Sequence, residues 1–108
     1  MQGQARRRRK GLEIFGDLRV YELKFLGRAL DDLKRIDKPH QRIIKEKLLI
    51  LADNPEALKN NIKRLAAGED FFRLRVGNYR VIFRKEERRL VILIIRIGHR
   101  KEIYLSLK

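Results

Sequence analysis

The stretch FFRLRVGNYRVIFR, residues 71–84, constrains the fold more than any other part of the chain. Apolar and basic residues alternate on both sides of Gly77-Asn78, a two-residue connection that tolerates positive φ, so the stretch reads as strand, tight turn, strand. Such a short loop fixes the register. Val76 is expected opposite Tyr79, Arg75 opposite Arg80, Leu74 opposite Val81 and Phe72 opposite Phe83. Because side chains alternate between faces, one face collects Phe72, Leu74, Val76, Tyr79, Val81 and Phe83, and the other Arg73, Arg75, Arg80 and Arg84. Two arginines directly across a strand pair repel each other. The sequence accepts that cost where a glutamate at either position would remove it, which implies an anion supplied from outside the hairpin.

The flanking segments supply the rest of a domain. Residues 19–25, RVYELKF, alternate as a first strand, with Val20 and Glu22 on the face opposite Tyr21, Leu23 and Phe25. Leu26, Ala29, Leu30, Leu33 and Ile36 then follow helical spacing and predict a helix ending near Asp37. Asp37-Lys38-Pro39 opens a second helix, with aspartate able to cap and proline acceptable in the first turn. Ile44, Leu48 and Leu51 form its buried stripe and Asn54-Pro55 stops it, so the two helices are expected as an antiparallel pair. Residues 55–62 read as irregular, Lys63 to Ala66 as a short strand, and Ala67-Gly68-Glu69-Asp70 as a turn into the hairpin. After a charged turn around Lys85 to Arg89 comes LVILIIRI, residues 90–97, apolar on both faces as a central strand requires. The tail GHRKEIYLSLK reads as a loop and a short terminal turn or helix. The expectation is an α+β domain, an antiparallel or mixed sheet of four to five strands with two N-terminal helices packed on one face and the arginines on the other.

A chain of 108 residues fits one domain, expected over 12–108, with 1–11 a disordered arm because QARRRRKG has no periodicity and five consecutive positive charges. Zero cysteines exclude a disulfide framework and a thiolate metal site, and two histidines make a poor metal cage. The longest apolar run, Leu90 to Ile95, falls far short of the roughly 20 residues of a membrane span. A cytoplasmic protein is expected. Its net charge of +14 is unevenly spread: residues 11–70 carry 12 basic and 11 acidic groups, whereas residues 71–108 carry 11 and 3. The strand half is the basic half, which makes a polyanion, and nucleic acid first, the expected partner. No phosphate-binding glycine loop, dinucleotide fingerprint, zinc spacing or nucleophile elbow occurs. The acids sit mainly on the helices, where charge balance explains them. What remains is an arginine cluster, two late tyrosines and His99. Arginine clamps phosphate through a planar fork but cannot serve as a base.

Together, FFRLRVGNYRVIFR and, after the charged turn, LVILIIRIGHRKEIY resemble the RelE family of toxins from toxin–antitoxin systems, over about Val20 to Tyr104. The resemblance implies a ribosome-dependent endoribonuclease that cuts messenger RNA in the decoding site without metal or cofactor, held silent by a RelB-like antitoxin. In such chemistry the ribose 2′-hydroxyl attacks the adjacent phosphate, which calls for a base, a clamp for added negative charge and an acid for the leaving oxygen. The family's site residues fall on Arg73, Arg75, Arg80, Arg100 and Tyr104. Arg73 and Arg75 stand where the best-studied members carry lysines, so these positions can clamp but hardly accept a proton. Tyr104 becomes the expected base if positive neighbours lower its pKa from about 10, with His99 the second candidate. Packing on the sheet edge is the other reading of Tyr104, and an exposed loop position that of His99. Arg84, Arg96, His99 and Lys101 are the expected further RNA contacts, while Tyr79 belongs to the core and His40 to the surface. ParE-type toxins, which poison DNA gyrase, share the fold, and a basic RNA- or ribosome-binding module would need only the arginine face.

Overall fold

The computed structural model describes residues 20–66 and 70–100. The arginine arm, most of the turn at residues 67–70, and the positions of Lys101 and Tyr104 lie outside the described residues. The elements run β1 (Glu22–Phe25), α1 (Gly27–Lys34), α2 (Lys38–Asp53), a 3-10 helix (Pro55–Asn61), β2 (Ile62–Arg64), β3 (Phe71–Val76), β4 (Tyr79–Glu86) and β5 (Val91–His99). The sheet order is β1-β5-β4-β3-β2. Only the β1–β5 pair is parallel, so the sheet is mixed.

The hairpin has the register that its two-residue loop dictates, from Val76 opposite Tyr79 to Phe72 opposite Phe83. Gly77 has φ +59, while Asn78 is not in the positive region, the pattern of a type II′ turn. A Cβ on Gly77 would meet nothing within 4 Å, so its demand for glycine is conformational and not steric. Gly77→Ala is expected to cost about 1–2 kcal/mol, the penalty of a left-handed L-residue, and Gly77→Asn less. Urea unfolding of the two variants measures the difference.

Ala29, Leu33 and Ile36 from α1 and its exit, Ile44, Leu48 and Leu51 from α2, and Leu74, Val76, Val81, Phe83, Ile92, Ile94 and Ile97 from the sheet form one core cluster. Both helices thus cover one face of the sheet. Each fully buried aliphatic or phenylalanine side chain contributes roughly 1.5–3 kcal/mol.

Four local readings are corrected. Leu26 and Leu30 keep 39% and 42% of their surface exposed, and Asp32 joins Ala29 and Leu33 on the buried side of α1. Asp37 sits at the α2 N-cap without a side-chain capping bond. Its carboxylate instead accepts from Nδ1 of His40 at 2.8–2.9 Å, which holds the Asp37 carboxyl below the usual carboxylate range. The stretch read as irregular is the 3-10 helix, with Leu58 tucked into the core. Finally, β5 continues to His99, two residues past the expected strand 90–97.

That last strand also contains an irregularity. Ile82 pairs with Arg96 but the next residue, Phe83, pairs with Ile94, leaving Ile95 as an extra residue. Without this bulge a one-residue slip would turn one half of β5 inside out. With it, Ile92 and Ile94 on one side and Ile97 on the other all reach the core.

Candidate functional site

Register and alternation build the face opposite the helices row by row. Arg75 pairs with Arg80, and Arg80 with Gly98, across β3, β4 and β5. In the next row Lys63 pairs with Arg73, Arg73 with Ile82 and Ile82 with Arg96. Beyond these, Phe71 pairs with Arg84, whose guanidinium lies 5.9 Å from the Phe71 ring centre. Lys63 is the member of this face that pattern reading missed. The strand carrying it was foreseen, but its alignment with β3 depends on tertiary pairing that three residues cannot encode.

The face is not uniformly charged. Ile82, only 1% exposed, lies between Arg73 and Arg96 in register, where long aliphatic arginine stems shield apolar surface. Arg75 and Arg84 are exposed and Arg73 and Arg80 half-buried. None of the four has a carboxylate partner among the described residues. Arg80 donates from Nη1 to the carbonyl oxygens of Gly77 (2.9 Å) and Tyr79 (3.0 Å), which folds its head over the turn beside Arg75. Nε of Arg73 is shielded from solvent without a hydrogen-bond partner. Such an unmatched donor costs about 1–3 kcal/mol. Guanidinium groups without carboxylate partners among the described residues have the chemistry to take an anionic ligand. Gly98 places no side chain of β5 opposite Arg80.

The other expected contacts divide. Arg96 donates from Nε (2.8 Å) and Nη2 (3.2 Å) to the Asp32 carboxylate, which also accepts the backbone N–H of Ile97 at 2.9 Å. Its fork is engaged inside the protein and not presented to a ligand. His99 pairs with Tyr79 and shares its side of the sheet, away from the arginines. The Tyr79 ring lies 5.3 Å from the His40 imidazole and 5.9 Å from that of His99. Tyr79 packs against the core as its alternation predicts, and His40, though exposed, joins this aromatic row. Arg100 is exposed, and its backbone N–H donates to Asn78 O at 3.0 Å, which fixes the end of β5 against the hairpin turn. Among the described residues no group of acids and histidines could hold a metal ion, and no helix is long and apolar enough to cross a membrane.

Residues 23–104 match the family model of the ParE toxin of type II toxin–antitoxin systems. The chain belongs to this family. Within the wider RelE/ParE superfamily, its solved relatives include RelE toxins. RelE from the RelE–RelB complex of Pyrococcus horikoshii OT3 superposes with a TM-score of 0.64 at 28% identity, over 75% of this chain and 96% of that one. The RelB–RelE complex of Methanococcus jannaschii gives 0.59 at 27% identity, over 79% and 99%. The intact E. coli RelBE complex, at 22% identity and a TM-score of 0.63 over 73% and 95%, shares the fold. No curated protein sequence matches. The protein is thus a type II toxin with the RelE fold.

Proposed function

We propose that this toxin is a ribosome-dependent endoribonuclease that cuts messenger RNA in the decoding site. The observation that carries the reading is the Arg75–Arg80 pair, facing each other on the sheet face opposite the helices with no carboxylate partner among the described residues. In this reading the ribose 2′-oxygen forms a bond to the adjacent phosphorus as its proton passes to a base. The bond from phosphorus to the 5′-oxygen breaks, and that oxygen takes up a proton. Arg80 and Arg100 clamp the phosphate at its most charged point, and Arg73, Arg75, Arg84 and Lys63 hold the strand. Tyr104 serves as the proton-transfer residue.

Tyr104→Phe keeps the ring and removes the hydroxyl. It should leave stability and ribosome affinity unchanged and lower the single-turnover rate across the pH range. Equal rates at every pH would return Tyr104 to a packing role.

The family model's own ParE description favours a second reading, poisoning of DNA gyrase. Incubating the toxin in parallel with message-programmed ribosomes and with gyrase and plasmid separates the two. New RNA fragments support the first reading, and gyrase-linked DNA breaks the second.

The partner that silences the toxin is proposed to be a RelB-like antitoxin, as in the related complexes. Its segment over the arginine face should carry acids, with apolar anchors elsewhere, because charge steers encounter while buried apolar contacts sustain affinity. Association should therefore quicken as salt falls. The Arg75→Ala, Arg84→Ala double variant should lose about tenfold in association rate at low ionic strength and little at high. Stopped-flow mixing at two salt concentrations checks this, and identical salt dependence in both proteins would place the antitoxin elsewhere.

A further inference from the structure

Asp32 is the one charged residue buried among the described residues, and it lies on α1, on the buried side with Ala29 and Leu33. Its position is set by where β1 ends. β1 pairs with β5 through Phe25 opposite Ile94, Leu26 N–H donates to Ile94 O, and the chain then turns into α1. Beyond Ile94 the edge of β5 has no strand beside it among the described residues. Asp32 fills that gap, accepting the Ile97 N–H at 2.9 Å and both Nε and Nη2 of Arg96. These two residues directly succeed the extra residue Ile95. One carboxylate therefore fixes the downstream side of the bulge from two directions.

The segment downstream of the bulge is short and leads to the candidate site: Ile97 in the core, Gly98 opposite Arg80, His99 opposite Tyr79, and Arg100 with its N–H on Asn78 O. We infer that Asp32 is a positioning residue of the toxin, acting through Arg96 and the Ile97 N–H to set the register of the β5 end that places Gly98 opposite Arg80 and leads to Arg100 at the hairpin turn. The catalytic part of this inference rests on the ribonuclease reading. Bulges that re-aim a side chain occur beside active sites, and a group displaced by about 1 Å can lose a hundredfold in rate. Asp32 touches no substrate. Its effect passes through the backbone, so it should appear in the chemical step and leave message and ribosome binding to the exposed arginines.

The test compares the native toxin with Asp32→Asn, which keeps an oxygen for the Ile97 N–H but loses the ion pair, and with Ile44→Val, a core truncation in α2 that lowers global stability and leaves the Asp32 hydrogen bonds in place. Two quantities are read: hydrogen exchange at the Arg100 and Ile97 amides, and single-turnover cleavage on programmed ribosomes as a function of toxin concentration. Relative to Ile44→Val, Asp32→Asn should speed exchange at both amides by about tenfold through local opening. It should also lower the maximal rate by about tenfold or more with the half-saturating concentration unchanged. If Asp32→Asn matches Ile44→Val in both exchange and maximal rate, Asp32 is a stability residue only and the inference fails. If the native protein cuts no message, the ribonuclease reading fails and the catalytic role with it. The exchange arm still decides whether Asp32 holds the strand end.

Discussion

Arg80→Ala is expected to slow cleavage of ribosome-bound message about a hundredfold, the usual loss when one charge contact to a transition state is removed, about 3 kcal/mol. The fold should tolerate the change. The variant gives up two hydrogen bonds from Nη1 to the turn carbonyls, worth about 1 kcal/mol net. It also ends the repulsion with Arg75 directly across the strands, which returns several tenths of a kcal/mol. Arg80→Lys separates charge from geometry: lysine keeps the positive charge but has no planar fork for two phosphate oxygens. Its rate should lie between those of alanine and arginine. Unfolding curves for all three proteins, recorded beside the cleavage rates, show whether the loss is catalytic. Native-like rates in a folded Arg80→Ala protein would remove Arg80 from the site.

A second large effect is expected at Asp32, where alanine should destabilise the protein by about 3 kcal/mol, the low end for breaking a buried ion pair. The low end applies because the Arg96 side chain keeps 22% of its surface in water while Asp32 keeps 8%. Burial alone would raise the Asp32 carboxyl, but the hydrogen bonds from Arg96 and the Ile97 N–H, with the charges of Arg96 and Arg35, outweigh it and hold the group below its usual value. A carboxyl with a depressed folded pKa stabilises the native state above its unfolded pKa, about 3.9, and that stability is lost as pH falls through the folded value. The difference between native and Asp32→Ala proteins should therefore be full at neutral pH and shrink below about pH 4. Denaturant titrations at pH 7 and pH 3 measure it. An equal difference at both would mean that Asp32 contributes by packing and not by charge.

The parts of this protein legible in its sequence are those governed by local rules. Gly77-Asn78 fixes the hairpin register because a two-residue loop allows one pairing, and the alternation of FFRLRV and YRVIF then decides which side chains face the core. Ile44, Leu48 and Leu51 are buried as their spacing predicts because α2 is long enough to hold a stripe against the sheet. Reading by pattern failed where a tertiary neighbour decides. LVILIIRI is apolar on both faces and so conceals the extra residue at Ile95, and the resulting shift in alternation places His99 beside Tyr79 and away from the arginines. Asp32 looked like one more charge on a solvated helix until α1 was seen to close the edge of β5 beyond β1. Leu26 and Leu30 matched a helical stripe, yet an eight-residue helix buries its face through Ala29, Asp32 and Leu33. Arg96 shows the same limit from the other side, since no spacing rule joins it to an acid sixty-four positions earlier.

The most direct test of the ribonuclease reading is the chemistry of the cut ends. Ribosomes holding an end-labelled message with an open decoding site are mixed with excess toxin, and the fragments are resolved and their termini identified. A ribonuclease of this kind should make one dominant cut within the exposed codon, with a 5′-hydroxyl on the downstream fragment and a 2′,3′-cyclic phosphate or its hydrolysis product on the upstream one. The same message free of ribosomes should stay intact. An uncut message on the ribosome, or a cut that leaves a 5′-phosphate, would contradict the reading.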